Sequence, residues 1–273
     1  AVRAQVGPDA LIVIRWYLAN QPLDYPTRNA QDWFSRYRTF IDAVKAPGVV
    51  FEGYNEIADS SAWQFAAFEL ERGRLLHGIG AGVGYFSFSV GCPDIPMWLT
   101  YDVVLRDMRP GDYVCLHEYW GDNADIDNAW HCGRWGLVPQ LLGKPIAVTE
   151  CGRDVVENKG QPGWQKTCSA YEFKADLRKY SALLRQYPNV KGATVFQDGS
   201  ADPQWQPFGV APIWRDIVAE YTIPVVVPPV VPIVPKLVID GRLMNQQQFK
   251  AHVNGLKFTP DFIPTRVFLH HSF

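Results

Sequence analysis

Short apolar runs alternate with longer amphipathic segments along the first 221 residues of the chain. The runs are rich in β-branched and aromatic residues, which favours strands, and the segments between them repeat apolar residues at helical spacing. The predicted strands are 11–18, 48–57, 77–90, 112–120, 144–151 and 190–198, and the predicted helices are 29–45, 61–76, 98–108, 127–142, 167–187 and 210–221. Six successive βα units predict an α/β fold with a parallel sheet covered by helices, either a barrel or a doubly wound sheet.

The alternation stops at residues 222–237, whose sequence is TIPVVVPPVVPIVPKL. Proline removes backbone donors and favours extended polyproline II structure, so this segment is typical of a semi-rigid linker. We therefore expect a large domain over 1–221, a linker over 222–237 and a short piece over 238–273. The last piece is smaller than most chains that hold a core together without help.

Composition and charge exclude several classes of partner. A formal net charge of -2 gives no electrostatic reason to expect nucleic acid or an anionic membrane surface. The apolar stretch near residue 230 is interrupted by prolines and is too short to span a bilayer. Five cysteines without a CxxC pair argue against a zinc ribbon, and a disulfide such as Cys132–Cys168 is compatible with the sequence. We expect a soluble monomer without cofactor or metal, whose export the sequence leaves open.

Two of the predicted strands end in a glutamate. Glu56 closes GYNE in strand 48–57, and Glu150 lies in VTECG in strand 144–151. The carboxyl ends of parallel barrel strands form the pocket, so both side chains are predicted to lie there. Glycoside hydrolysis requires two carboxyl groups that flank one bond. Ten tryptophans and twelve tyrosines also supply flat faces on which sugar rings stack.

The two segments resemble a known family. FEGYNEI resembles the fourth strand of the retaining (β/α)8 glycosidases of the four-seven superfamily, and IAVTECG resembles their seventh strand. Two predicted strands lie between them, as that spacing requires. The resemblance implies a TIM (β/α)8 barrel in which Glu56 is the general acid/base and Glu150 the nucleophile. Because one predicted strand precedes Glu56, we expect the first two βα units to be lacking. An open six-stranded sheet is the alternative.

The resemblance also implies a set of substrate-binding residues. Asn55 is expected to bind the sugar 2-hydroxyl, and His117 and Tyr119 in LHEYW share one strand face near the nucleophile. Arg15 or Tyr119 is expected to keep Glu150 ionised. The remaining candidates are three sugar platforms near strand ends and one polar residue where the family often has Trp: Trp16, Trp120, Trp205 and Gln197.

Two further carboxylates lie close to these residues in the sequence. Glu52, four residues before Glu56, is predicted to be a buried ion-pair partner. Glu118 has the opposite strand parity to His117 and Tyr119, so it is predicted to point away from them.

The segment FIPTRVFLHHS resembles the start of zinc-dependent N-acetylmuramoyl-L-alanine amidases. By that resemblance His270 would be a metal ligand. The sequence ends at Phe273, so the other ligands of such a site are absent and we expect no bound zinc. The resemblance implies a parent polypeptide that cuts bacterial cell wall, secreted or phage-associated, with peptidoglycan glycan as one candidate substrate.

Three functions are compatible with these patterns. The first is a retaining glycosidase that acts on a β-linked polysaccharide. The second is a non-catalytic carbohydrate-binding barrel that anchors an amidase, which predicts a carboxyl separation well beyond about 5.5 Å. The third is another doubly wound α/β enzyme, which needs a glycine-rich phosphate loop after its first strand. No GxGxxG or GxxxxGK[ST] motif occurs.

Overall fold

The computed structural model describes residues 10–154, 162–200, 202–221, 237–239, 242–244 and 266–269. The strands are β1 (Ile12–Arg15), β2 (Val49–Phe51), β3 (Gly82–Phe88), β4 (Tyr113–Trp120), β5 (Ile146–Arg153), β6 (Val190–Val195), β7 (Leu237–Ile239), β8 (Arg242–Met244) and β9 (Arg266–Leu269). The helices are α1 (Pro26–Val44), α2 (Ala62–His77), α3 (Trp98–Asp107), α4 (Trp164–Thr167), α5 (Ala170–Leu184) and α6 (Trp214–Tyr221).

One sheet organises the described residues between 10 and 221. Its strands follow the order β6-β5-β4-β3-β2-β1-β9, and β1 to β6 are all parallel. The predicted alternation of parallel strands with helices is therefore confirmed. β9 pairs antiparallel with β1, with Ile12 opposite Leu269 and Arg15 opposite Arg266. β7 and β8 form a separate antiparallel pair.

The sheet curls into a half-barrel. β1 and β5 are four strands apart, which in a flat sheet is about 19 Å at 4.8 Å per strand. Arg15 at the end of β1 nevertheless donates a hydrogen bond directly to Glu150 of β5. Two side chains of this length meet only if the sheet bends strongly around its inner face, as it does in a barrel.

Apolar side chains fill both faces of the curled sheet. A small inner cluster comes from alternate strand positions: Leu11, Val13, Val50, Cys115 and Ala147. A larger cluster lies between the outer face and the helices, and α1 contributes its buried face to it. Strand parity therefore decides whether a side chain faces the inside of the half-barrel or the helical layer.

Two predicted elements are wrong: one strand is shorter than predicted and one helix is absent. β2 has three residues rather than the ten of 48–57, so Glu56 lies in the following loop. The predicted helix 127–142 is absent from this fully described stretch, which forms three 3₁₀ turns at Asp125–Asp127, Arg134–Leu137 and Pro139–Leu141. Its glycines and proline explain the difference, because each disfavours a continuous helix.

All five cysteines are free thiols, so the Cys132–Cys168 disulfide that the sequence allows is not formed. None of the helices in the described part of the chain is both long and apolar enough to cross a membrane. Most of the predicted linker, residues 222–236, and the predicted ligand His270 lie outside the described residues.

Candidate active site

Glu150 lies on the inner face of β5 and is held by two donors. Tyr119 Oη donates to its Oε2 over 2.7 Å, and Arg15 Nη2 donates to its Oε1. The side chain is 7% exposed. Tyr119 comes from the neighbouring strand β4, whereas Arg15 reaches across from β1.

A register shift between β4 and β5 brings Glu150 opposite His117. Leu116 lies opposite Val148, but His117 lies opposite Glu150, so Thr149 is the extra residue. Thr149 therefore faces inward as well, where its hydroxyl donates to Glu52 Oε1 over 2.7 Å. Strand irregularities of this kind re-aim side chains and are frequent beside active sites.

The environment keeps Glu150 ionised. Burial by itself raises the pKa of this carboxyl, because it removes the charge from water. Electrostatic attraction from Arg15, together with hydrogen bonds from Tyr119 and Arg15, outweighs burial and holds the pKa of Glu150 below its ordinary value. A carboxylate that stays charged at every physiological pH is suited to act as a nucleophile.

Arg15 joins the carboxylates inside the half-barrel. Besides Glu150, its guanidinium lies 3.5 Å from Glu52 Oε2. Burial lowers the pKa of Arg15, but Glu150 and Glu52 raise it above its ordinary value, so Arg15 remains charged. Glu52 itself is fully buried, and it is the ion-pair partner that its sequence position predicts.

His117 links Arg15 to Glu56. Arg15 Nη1 donates to His117 Nε2 over 2.9 Å, and His117 Nδ1 lies 2.7 Å from Glu56 Oε1. Because a guanidinium has no acceptor, Nε2 must carry the lone pair and Nδ1 the proton. We therefore assign a neutral His117 that donates to Glu56.

Glu56 is presented from the loop after β2. Its backbone has φ +54°, a left-handed conformation that non-glycine residues rarely adopt. Its amide donates to Ser87 O over 3.0 Å, which fixes the loop against the end of β3. The side chain is 38% exposed, in contrast to Glu150. Of the two glutamates, Glu56 is thus the one open to solvent.

The two candidate catalytic carboxyls lie close together. Glu56, His117 and Glu150 each offer one ligand atom within 4.8 Å of the others. Such a trio is also a conceivable metal site. Arg15, however, already donates to two of its members and supplies the compensating positive charge. The trio is therefore better described as two acids linked through His117 and Arg15, since His117 is hydrogen-bonded to Glu56 and Arg15 donates to both His117 and Glu150.

Asn55 precedes Glu56 and carries an unpaired polar atom. Its Oδ1 is buried without a hydrogen-bond partner among the described residues. Buried polar atoms are normally paired, so this exception in the residue before Glu56 is suited to accept a hydrogen bond from a ligand.

Two of the predicted sugar platforms are wrong. Trp16 is 4% exposed and stacks on Tyr37 with ring centroids 4.1 Å apart, under α1. Trp120 is fully buried, and its Nε1 donates to Asp176 Oδ2 of α5 over 3.1 Å. Both follow an inward-facing residue, Arg15 or Tyr119, so strand parity turns their rings outward to the helices.

The third predicted platform, Trp205, is partly exposed and lies in a 3₁₀ turn after β6. Gln197, predicted as substrate-binding, is 8% exposed, and its side chain donates to Trp205 O over 2.9 Å. Phe196, which the sequence did not single out, packs edge-on against both Trp205 and Tyr119, at 5.8 and 6.0 Å. Phe196 directly follows β6. The glycosidases that the sequence resembles often have Trp at the end of this strand, so the position of Phe196 was the signal from which it could have been recognised.

Glu118 points away from the pair, as its parity predicts. It accepts hydrogen bonds from Gly133 N over 2.6 Å, from Trp135 Nε1 over 2.8 Å and from Tyr180 Oη of α5. Burial raises its pKa to about 7, although these hydrogen bonds lower it in part.

A small crevice lies beside His117 at the carboxyl ends of β3 and β4. Ser89, Trp130 and His131 line it, and the Arg134 guanidinium lies 5.0 Å over the Trp130 ring. Trp130 and Arg134 fall in the stretch wrongly predicted as a helix, which is why they were not recognised as pocket residues.

Comparison with known proteins gives distant similarities. No protein-family model matches the chain, and no curated protein matches it. Among solved structures, the chain is similar to XacCel5A in complex with cellopentaose, at 13% identity and a TM-score of 0.47, over 72% of this chain and 66% of that one.

Two further structures have lower TM-scores. One is the bacterial orthologue of human α-L-iduronidase, at 17% identity and a TM-score of 0.42, over 69% of this chain and 34% of that one. The other is a GH128 endo-β-1,3-glucanase from Amycolatopsis mediterranei in complex with laminaripentaose. It has 18% identity and a TM-score of 0.35, over 62% of this chain and 79% of that one. The chain spans about a third of the iduronidase orthologue, and TM-scores below 0.5 place it in no family.

Proposed function

We propose that this chain is a retaining glycoside hydrolase in which Glu150 is the nucleophile and Glu56 the general acid/base. The observation that carries the proposal is the placement of one carboxyl oxygen of each residue within 4.8 Å of the other. Retaining glycosidases hold their two carboxyls about 5 to 5.5 Å apart, whereas inverting enzymes leave about 6.5 to 9.5 Å for a water molecule.

The roles follow from the two environments. Glu150 is buried, charged and fixed by Arg15 and Tyr119, so it is suited to attack the anomeric carbon. Glu56 is partly exposed and bonded to His117 Nδ1, so it is placed to protonate the leaving oxygen and then to activate water. The same side chain serves both steps by microscopic reversibility.

Asn55, Trp205 and the crevice beside His117 are the proposed sugar contacts. The unpaired Oδ1 of Asn55 would accept from a sugar hydroxyl next to the scissile bond. Trp16 and Trp120 are excluded, because both rings are packed against helices.

The proposed substrate is a β-linked polysaccharide. Peptidoglycan glycan is one candidate, because of the amidase-like segment near the end of the sequence. The separation of the carboxyls argues against the alternative of a non-catalytic carbohydrate-binding barrel, which has no need to hold two acids this close.

The test is hydrolysis of a panel that includes a β-1,4-glucan, a β-1,3-glucan and purified peptidoglycan. Glu150→Ala should lower kcat at least about 10³-fold, and Glu56→Ala about 10²- to 10⁴-fold. Azide should rescue Glu150→Ala and give a product of inverted configuration. Glu71→Ala is the matched control, because Glu71 pairs with Arg74 on α2 and not with a residue of the site, and it should keep full activity.

Full activity of Glu150→Ala would overturn the assignment. Binding of a panel glycan without hydrolysis by the wild-type protein would instead support the non-catalytic barrel.

A further inference from the structure

The loop that presents Glu56, residues 52–58, has fixed ends and an unusual backbone. Tyr54 stacks on Phe68 of α2 with ring centroids 4.0 Å apart, and Ile57 is 9% exposed. Asn55 and Glu56 lie between these two buried side chains, and Glu56 is turned toward the site, where it meets His117. The left-handed φ of Glu56 persists only where neighbouring groups over-determine it.

Gln21 contacts this loop from the segment between β1 and α1. Its Nε2 donates to Asn55 O over 2.9 Å, and its Oε1 accepts from Asn55 N. One amide side chain thereby pairs with both backbone polar groups of a single residue, as a neighbouring strand would. The side chain is partly buried.

These contacts hold the backbone on both sides of one peptide bond. Gln21 fixes Asn55, and Ser87 O fixes the amide of Glu56. The Glu56 carboxyl then reaches His117 Nδ1 at 2.7 Å. Small displacements matter at this position, since a misplacement of about 1 Å can cost about 10²-fold in rate.

We propose that Gln21 is a positioning residue for Glu56: it holds the Asn55–Glu56 backbone so that the Glu56 carboxyl meets His117 and faces Glu150. Gln21 acts through the backbone of Asn55 and does not touch the reacting atoms. The effect of Gln21 on catalysis rests on the proposed function, whereas its effect on the position of the Glu56 carboxyl does not.

The test variant is Gln21→Met, which keeps the length of the side chain and removes both hydrogen bonds. Gln21→Asn is the second variant, because it keeps the amide but is one methylene too short to reach both backbone groups. Gln31→Met is the matched control, since the Gln31 amide donates to the carboxylate of Glu71 on α2 and to no residue of this loop. Equal unfolding midpoints for the variants and the wild type would establish that all are folded.

The first readout is the ¹H–¹⁵N imidazole spectrum of His117, assigned with His117→Asn in protein labelled at histidine. Gln21→Met and Gln21→Asn should move the His117 Nδ1–H signal toward its position in Glu56→Ala, and Gln31→Met should leave it in place. A wild-type His117 signal in both Gln21 variants would overturn the proposal. This readout needs no substrate, so it decides the placement even if no glycan is hydrolysed.

The second readout is hydrolysis of whichever panel glycan the wild-type protein cleaves. Gln21→Met should lower kcat about 10- to 100-fold while KM changes little, because the loss concerns proton transfer rather than binding. A rise in KM at unchanged kcat would assign Gln21 to substrate binding and contradict the positioning role.

Discussion

Arg15 contacts three side chains that are remote in the sequence. It donates to Glu150 and His117 and forms an ion pair with Glu52, all inside the half-barrel. The sequence predicted a partner of this kind for Glu150, because a nucleophile must stay ionised. It could not predict the bridge to His117, which depends on how strongly the sheet curls.

Arg15→Met should raise the pKa of Glu150, because it removes a positive charge and a hydrogen bond from the carboxylate. The nucleophile would then be protonated at a higher pH, and the acid limb of the kcat/KM profile should move up by about 1 to 3 pH units. Arg15→Lys keeps the charge and should give a smaller shift. A profile of Arg15→Met with the wild-type acid limb would contradict the role of Arg15.

Gly53 is constrained by a buried ion pair on α2. Arg72 and Glu69 are fully buried and share two hydrogen bonds of 2.9 and 2.6 Å. A Cβ at position 53 would lie 2.6 Å from Arg72 Nε and 2.7 Å from Glu69 Oε1. Gly53→Ala must therefore separate the pair or displace the loop that carries Glu56.

The expected cost of Gly53→Ala is about 3 kcal/mol in the free energy of unfolding, the range for a disrupted buried pair. Urea unfolding measures it. Gly199→Ala is the matched control, since no atom of the described residues lies within 4 Å of a Cβ there, and it should change stability by less than about 0.5 kcal/mol. Equal stability of the two variants would contradict the packing of Gly53.

Strand parity explains much of what the sequence could and could not predict for single elements. Alternation along β4 correctly separates His117 and Tyr119 from Glu118. The same rule applied to Trp120 and Trp16 would have placed them in the helical layer. By contrast, the extra residue Thr149 in β5 leaves no mark in the apolar pattern.

The loops after β2 and β4 were the least predictable elements. The sequence from Val49 to Ile57 resembles one continuous strand, because its apolar residues extend past Phe51 to Tyr54 and Ile57. Both of these side chains are buried, as they would be in a strand. β2 nevertheless ends at Phe51, and the left-handed φ of Glu56 in the following loop cannot be read from residue type. The stretch 127–142 has apolar residues at helical spacing, but its glycines and proline favour turns.

Glu118 connects three elements and should give stability a pH dependence. It joins β4, the 3₁₀ turn at Arg134–Leu137 and α5 through Trp135 and Tyr180. Its pKa of about 7 lies above the ordinary value of 4.5, so the folded state binds the proton more tightly than the unfolded state does. The resulting stabilisation is present below pH 4.5 and is lost as the pH rises to 7.

Glu118→Gln removes this titration while keeping an acceptor for the surrounding donors. Its stability relative to the wild type should rise by about 3 kcal/mol between pH 4.5 and pH 8, from the 1.36 kcal/mol that each pKa unit represents. Urea unfolding of both proteins at the two pH values measures the change. A difference that is the same at both pH values would show that Glu118 does not titrate in this range.

At the scale of the whole molecule, the sequence predicted the order and direction of six strands but not how the sheet ends. Local apolar patterns specify that a strand is buried on both faces, but they do not name its neighbour. The pairing of β9 with β1 could not be predicted from such patterns, since it joins residues more than 250 positions apart. The boundary at 222–237 and the amidase-like ligand His270 stay predictions.

Curling of the sheet is what turns separate motifs into one site. Glu56 follows β2, His117 and Tyr119 lie on β4, Glu150 lies on β5, and Arg15 ends β1. Their contacts exist only because strands four apart face each other across the half-barrel. The account therefore depends on whether this geometry performs a double displacement.

The most direct measurement is the anomeric configuration of the first product, followed by ¹H NMR during hydrolysis of a β-linked glycan by the wild-type protein. Because Glu56 and Glu150 lie within 4.8 Å, the new reducing end should appear first as the β anomer and only later mutarotate. Initial release of the α anomer would mean a single displacement by water and would contradict the assignment of Glu150 as nucleophile.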